Sequence, residues 1–158
     1  MADLSRGPGI PFPPPFVFAA GWLIAWLLNR WIPFQLDVDG PSLPQQAVGL
    51  TFIVGGLMVM AWAIQTFARA HTAVVPTAPA TMLVRTGPFR FTRNPMYVGI
   101  TAAYVGLAIL VNVAWPFVVL PAVLIALLLV VIRREERHLQ HMFPGEYPQY
   151  CSRVRRWL

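Results

Sequence analysis

Pro116-Phe117-Val118-Val119-Leu120-Pro121-Ala122-Val123-Leu124-Ile125-Ala126-Leu127-Leu128-Leu129-Val130-Val131-Ile132 carries no charged side chain and is followed at once by Arg133-Arg134-Glu135-Glu136. A helix over this run reaches the short end of the range of about 17–25 residues that crosses the hydrocarbon core of a bilayer. Three further apolar runs precede it, Phe16 to Ile32, Ala47 to Ala68 and Tyr97 to Ala114. None of the four contains Asp, Glu or His. The sequence therefore predicts an all-α integral membrane protein with about four transmembrane helices. Residues 1–158 form a single membrane domain, and residues 133–158 leave the bilayer as a C-terminal helix extension.

Composition points the same way. Of 158 residues, 57% are hydrophobic and 11% charged, against roughly 25% charged in a soluble domain. A mean hydropathy of +0.60 leaves more apolar surface than one small core can hide from water. Disorder needs low hydrophobicity, and a disulfide scaffold needs several cysteines where this chain has only Cys151.

All twelve basic residues are Arg, giving a net charge of +6. Eleven of them fall near the start, between Arg69 and Arg93, or between Arg133 and Arg156. An even number of spans puts these regions on one side, with Asp37 and Asp39 on the other. The positive-inside rule then predicts a multi-pass protein with both termini in the cytoplasm. No nucleic-acid recognition motif accompanies the charge, so topology accounts for it. Arg6 before an apolar run suggests a signal peptide, but no small-residue cleavage site follows Ile32, which favours a retained anchor. Gly55, Gly56, Gly99 and Gly106 would let helices approach closely. The proline-rich residues 7–15 read as an extended lead-in.

Polar chemistry is concentrated in two segments expected at the same membrane face. The first is Leu83-Val84-Arg85-Thr86-Gly87-Pro88-Phe89-Arg90-Phe91-Thr92-Arg93-Asn94-Pro95-Met96-Tyr97, punctuated by Gly-Pro and Asn-Pro turns. The second is the run from Arg133 to Tyr147, with no helix breaker before Pro144. Glu135 and Glu136 are about 100° apart on a helix, so one can face the bundle while the other faces solvent or pairs with Arg. Glu135, His138 and His141 have a spacing that could suggest a metal site, but bundle metal sites recruit Glu from other helices, and no metal is expected here. Asp37 and Asp39 read as a solvated external loop. Cys151 has no evident base beside it. No Walker, dinucleotide-binding or HExxH motif occurs.

These two segments resemble the integral-membrane methyltransferases of the isoprenylcysteine carboxyl methyltransferase and phospholipid methyltransferase superfamily. The first family motif, Leu-Val-x-x-Gly-Pro-(Tyr/Phe)-x-x-x-Arg-(His/Asn)-Pro-x-Tyr-x-Gly, is matched throughout residues 83–99. The second is met by Glu135-Glu136, Leu139, Phe143, Gly145, Glu146-Tyr147, Tyr150 and Arg153-Val154. The resemblance covers about residues 69–158; the first two spans match only in being spans.

The resemblance implies methyl transfer from S-adenosylmethionine, with S-adenosylhomocysteine as product, to a lipophilic or membrane-associated acceptor. By similarity, Thr81, Met82, Leu83, Val84 and Phe89 would wall the cofactor and Gly87 would turn the chain around it. Asn94, Pro95, Met96 and Tyr97 would hold its polar end, and Glu135 would contact it from the facing helix. Asn94 stands where the better-known pattern has His. Val131 stands where the isoprenylcysteine enzymes have an Arg thought to engage the substrate carboxylate; Arg133 and Arg134 are the substitutes, with Arg134 the better placed. Glu135 and Arg134 are thus the candidate catalytic residues, and the acceptor atom stays open. The competing class is a non-catalytic membrane binding or assembly protein that retains the scaffold.

Overall fold

The computed structural model describes Gly9, residues 12–70 and residues 82–158. Among these residues the chain is helical, with five helices joined by short connections: α1 (Pro15–Trp31), α2 (Leu43–Arg69), α3 (Pro95–Leu110), α4 (Trp115–Met142) and α5 (Glu146–Arg153). Proline stands in the first turn of each of α1 to α4, where its missing N–H costs no intrahelical bond. Ser42 caps α2 by accepting from the Gln45 N–H at 3.4 Å. This cap starts α2 four residues before the apolar run begins at Ala47.

Two helices, α2 and α4, are long and apolar enough to cross a membrane; α3 is apolar but has 16 residues. α3 ends at Leu110, short of the expected Ala114. Asn112 takes a left-handed conformation (φ 58°) and turns the chain back into α4, and Asn tolerates this region better than other side-chain-bearing residues. Apolar side chains such as Trp26, Leu50, Leu57, Met58 and Val118 point outward, as expected of surfaces wetted by lipid rather than water.

α2 and α3 run antiparallel and pack through glycine. A Cβ on Gly49 would lie 2.8 Å from the Gly106 carbonyl oxygen, and one on Gly99 would lie 2.6 Å from that of Gly56. Backbone thus meets backbone at two points, the small-residue packing that replaces the hydrophobic drive in lipid. Gly55, by contrast, faces open space. α1 packs on α4 instead, and Tyr104 of α3 seats its ring against Phe18 and Trp22 of α1. Phe18, Tyr97, Tyr104, Val123, Leu127, Val131 and Ile132 form the main core.

α4 has a π-helical turn over Leu128–Ile132, between α-helical stretches at Trp115–Leu127 and Arg133–Met142. Nothing in the residue types of this apolar run signals it. A π turn holds one residue more than an α turn, and such turns recur at functional sites. This one immediately precedes the Arg133–Glu136 cluster, so it sets the direction in which both carboxylates leave the core.

Candidate active site

The segment after residue 81 docks on the end of α2. Gly87 has φ 59°, which a glycine adopts without strain, and a Cβ there would stand 2.6 Å from Thr66 Oγ1. Pro88 and Phe89 follow in a single 3-10 turn and are buried. Phe89 and Val84 pack with Ala63, with Phe67, Ala70 and Met96 around them, and the Phe89 ring meets Phe67 edge-on at 4.9 Å. The Tyr150 hydroxyl of α5 donates to the Phe89 carbonyl at 2.7 Å. Pro95 then opens α3 and sets Tyr97 one turn inside it.

At this point the two polar segments meet. The Tyr97 hydroxyl donates to Glu135 Oε1 at 2.7 Å. Tyr97 is buried and Glu135 partly so. Burial raises the Glu135 carboxyl from its ordinary 4.5 to about 7, with the Tyr97 hydrogen bond pulling down and the charge of Glu136 pushing up. A group that titrates near neutrality at the edge of a membrane domain is where chemistry is expected.

Glu136 points elsewhere. It accepts two hydrogen bonds from Arg156, from Nε and Nη2, both at 2.8 Å, and Arg93 Nη1 lies 3.3 Å from the same carboxylate. Arg93 Nη1 also stands 2.8 Å from Cys151 Sγ. Asn94 is buried, and its amide donates to the Arg156 carbonyl at 3.0 Å. Arg134 donates to the Gly9 carbonyl at 2.7 Å. Arg133 is exposed. Val131 is fully buried in the core.

The structure thus brings Val84, Phe89, Met96, Tyr97 and Glu135 to one end of the bundle. Gly87, Asn94 and Pro95 shape the backbone there, Met82 is exposed, and Leu83 is partly buried. Thr81 lies outside the described residues. Glu135, His138 and His141 form no metal cluster among the described residues. Burial and the neighbouring His141 hold His138 below its ordinary pKa. Its buried Nε2 has no hydrogen-bond partner among the described residues. Sequence reasoning missed Thr92 and Arg156. Thr92 is buried and donates to the Arg156 carbonyl at 3.0 Å. Arg156 had been accounted for by topology, which expects arginines in the tail whatever else they do.

The comparison with known families supplies the class, the methyltransferases of the membrane. The profile of the phospholipid methyltransferase family matches residues 44–146, well over half of the chain, and the protein belongs to that family. The family lies within the integral-membrane methyltransferase superfamily that includes the isoprenylcysteine enzymes. No curated protein and no solved structure matches the chain.

Proposed function

We propose that this protein is a multi-pass membrane enzyme that transfers a methyl group from S-adenosylmethionine to a lipophilic acceptor. In this reading α1 to α4 all cross the bilayer, both termini lie in the cytoplasm, and the arginine-rich end holds the cofactor. The observation that carries it is the Tyr97–Glu135 hydrogen bond, which joins the two family motifs at the membrane edge.

The donor set fits such a cofactor. Glu135 offers an anionic acceptor to an ammonium or ribose hydroxyl, and Tyr97 fixes its direction. One turn along α4, His138 Nε2, without a partner among the described residues, offers a further polar atom. When bound, S-adenosylmethionine supplies a methyl group activated by its sulfonium centre. The chain's own task is alignment and exclusion of water. Phe89, Val84 and Met96 form an apolar cluster on the end of α2, and the Gly87 turn seats against Thr66 there. Holding two reactants in line can account for about 7–11 kcal/mol of a barrier. Low dielectric strengthens the attraction between ionised Glu135 and a cation beyond its value in water. With Arg134 bound to the Gly9 carbonyl and Val131 in the core, no arginine stands where the isoprenylcysteine pattern places one. We therefore favour a membrane lipid or another lipophilic acceptor without a carboxylate over a prenylated cysteine.

Calorimetric titration of S-adenosylhomocysteine into the purified protein in detergent tests this reading, with Glu135→Gln alongside. Micromolar binding that falls about thirtyfold or more in the variant is expected, since losing one partner of a buried charged contact costs about 2–5 kcal/mol. A folded wild-type protein that binds nothing, in detergent or in lipid, overturns it.

A further inference from the structure

We propose that Glu136 is a positioning residue that, through Arg93 and Arg156, clamps the C-terminal tail onto the entry to α3 and so fixes Tyr97 against Glu135. This rests on the cofactor reading above and deepens it.

The contacts close a ring. Glu136 holds the Arg156 guanidinium in a two-point grip at 2.8 Å. The Arg156 carbonyl receives Thr92 Oγ1 and Asn94 Nδ2, both at 3.0 Å, and the Arg155 carbonyl receives the Arg93 N–H at 2.9 Å. Three consecutive residues before α3 are therefore tied to two consecutive residues of the tail. Asn94 leads directly into α3, Tyr97 reaches Glu135, and Glu135 is the chain neighbour of Glu136. Trp157 adds an apolar anchor by packing against the core that contains Tyr97, Val131 and Ile132.

The energetics favour a geometric role. Glu136 and Arg93 retain only 19% and 16% side-chain exposure, so the pair has given up much of its hydration. The desolvation cost of such a pair can exceed its Coulombic gain, and apolar packing would hold a tail at least as well. A two-point Arg–carboxylate pair, unlike apolar packing, fixes direction.

Tyr97 faces Glu135 from α3, and α1 carries no titratable side chain at this end. On α4 itself Glu136, Arg134 and His138 are near. From the loop and the tail, Arg93 and Arg156 pair with Glu136, beside Tyr147 and Cys151. The neighbouring charge of Glu136 raises the proton affinity of Glu135, on top of the larger effect of burial.

The test measures S-adenosylhomocysteine affinity between pH 5.5 and 8.5, ~0.5 unit steps, for wild type, Glu136→Gln and Arg156→Gln, with hydrogen exchange of the 87–97 segment in the absence of ligand. Both variants should exchange faster over 87–97 and bind about ten- to a hundredfold more weakly, the effect of a small misplacement. The pH midpoint should move down in Glu136→Gln, which loses the repelling charge, and not down in Arg156→Gln, which keeps it. Arg156→Gln keeps the backbone contacts of the tail, so it guards against a variant that merely misfolds. Wild-type affinity and exchange in Glu136→Gln would overturn the clamp, as would equal downward shifts in both variants. Absence of binding in the wild type alone would instead sink the cofactor reading, and the clamp's purpose with it.

Discussion

The two ends of the bundle solve the same problem with different chemistry. At the α3–α4 turn, Asn112 accepts from the Asp37 N–H at 3.0 Å and from Gln45 Nε2 at 3.0 Å, and donates to the Asp37 carbonyl at 2.8 Å. Trp115 Nε1 donates to the Ile32 carbonyl, and the Ala114 N–H to that of Phe34. Every one of these contacts pins a loop, and the side chains that make them are neutral. At the opposite end, Glu136, Arg93 and Arg156 also pin a loop, but with charge, and Glu135 sits beside them ionisable. A structural end can be satisfied with amides and carbonyls. An end that keeps a partly buried carboxylate next to an ion network carries a cost that packing alone does not explain.

The largest effect that would break this contrast concerns pH. The Glu135 carboxyl is raised from 4.5 to about 7 by burial, so the unfolded chain releases its proton first. Its contribution to stability is therefore complete below pH 4.5 and is lost as pH rises through about 7. A shift of this size corresponds to about 3–4 kcal/mol. Thermal unfolding in detergent without ligand should show wild type losing more stability than Glu135→Gln between pH 5 and 8. Ligand affinity should run the opposite way, rising with pH as Glu135 ionises. Parallel stability profiles for the two proteins would make Glu135 an ordinary surface carboxylate.

The next effect belongs to the neutral end. Asn112→Ala leaves the part-buried Asp37 N–H and carbonyl without their partner, which costs about 1 kcal/mol. It also places a Cβ-bearing residue without a helpful side chain at φ 58°. Asn112→Gly removes the amide but relieves the left-handed backbone, so it should recover part of the loss. Neither variant should change S-adenosylhomocysteine affinity in the folded protein, read by calorimetry at a temperature well below either melting point. A change in affinity would mean that the two ends are coupled through α3.

The contrast was half legible in the sequence. The apolar run ending in Arg133-Arg134-Glu135-Glu136 announces a helix that leaves the membrane carrying carboxylates, and the Gly87-Pro88 and Asn94-Pro95 turns announce the loop that faces it. Gly56, Gly99 and Gly106 were readable as close-approach positions, although Gly49, which completes the α2–α3 contact, was not singled out. The π turn at Leu128–Ile132 was invisible because interchangeable aliphatic residues leave helical phase to tertiary packing. Asn112 falls inside the apolar run that ends at Ala114, and its role depends on Asp37 and Gln45, distant in sequence. Arg156 was hidden by the positive-inside pattern, which explains any arginine in the tail equally well.

The smallest effect tests whether charge at the arginine-rich end matters only where it is buried. Arg85 and Glu146 form an ion pair at 2.8 Å, but their side chains are 46% and 57% exposed. Water already stabilises both groups, and the cost of ordering two long side chains offsets the gain, so such pairs contribute about 0–1 kcal/mol. Glu146 also lies in the first turn of α5, where the helix N-terminus favours a negative charge whether or not Arg85 is present. Arg85→Gln should therefore change stability by less than about 0.5 kcal/mol and leave ligand affinity and its pH midpoint at wild-type values. The same end would then contain one ion pair that can be cut without consequence and one that cannot. Burial of Glu136, rather than the number of charges, would be the difference between them. A loss of affinity in Arg85→Gln would extend the functional network to α5 and give Glu146, a residue of the second motif, a part in it.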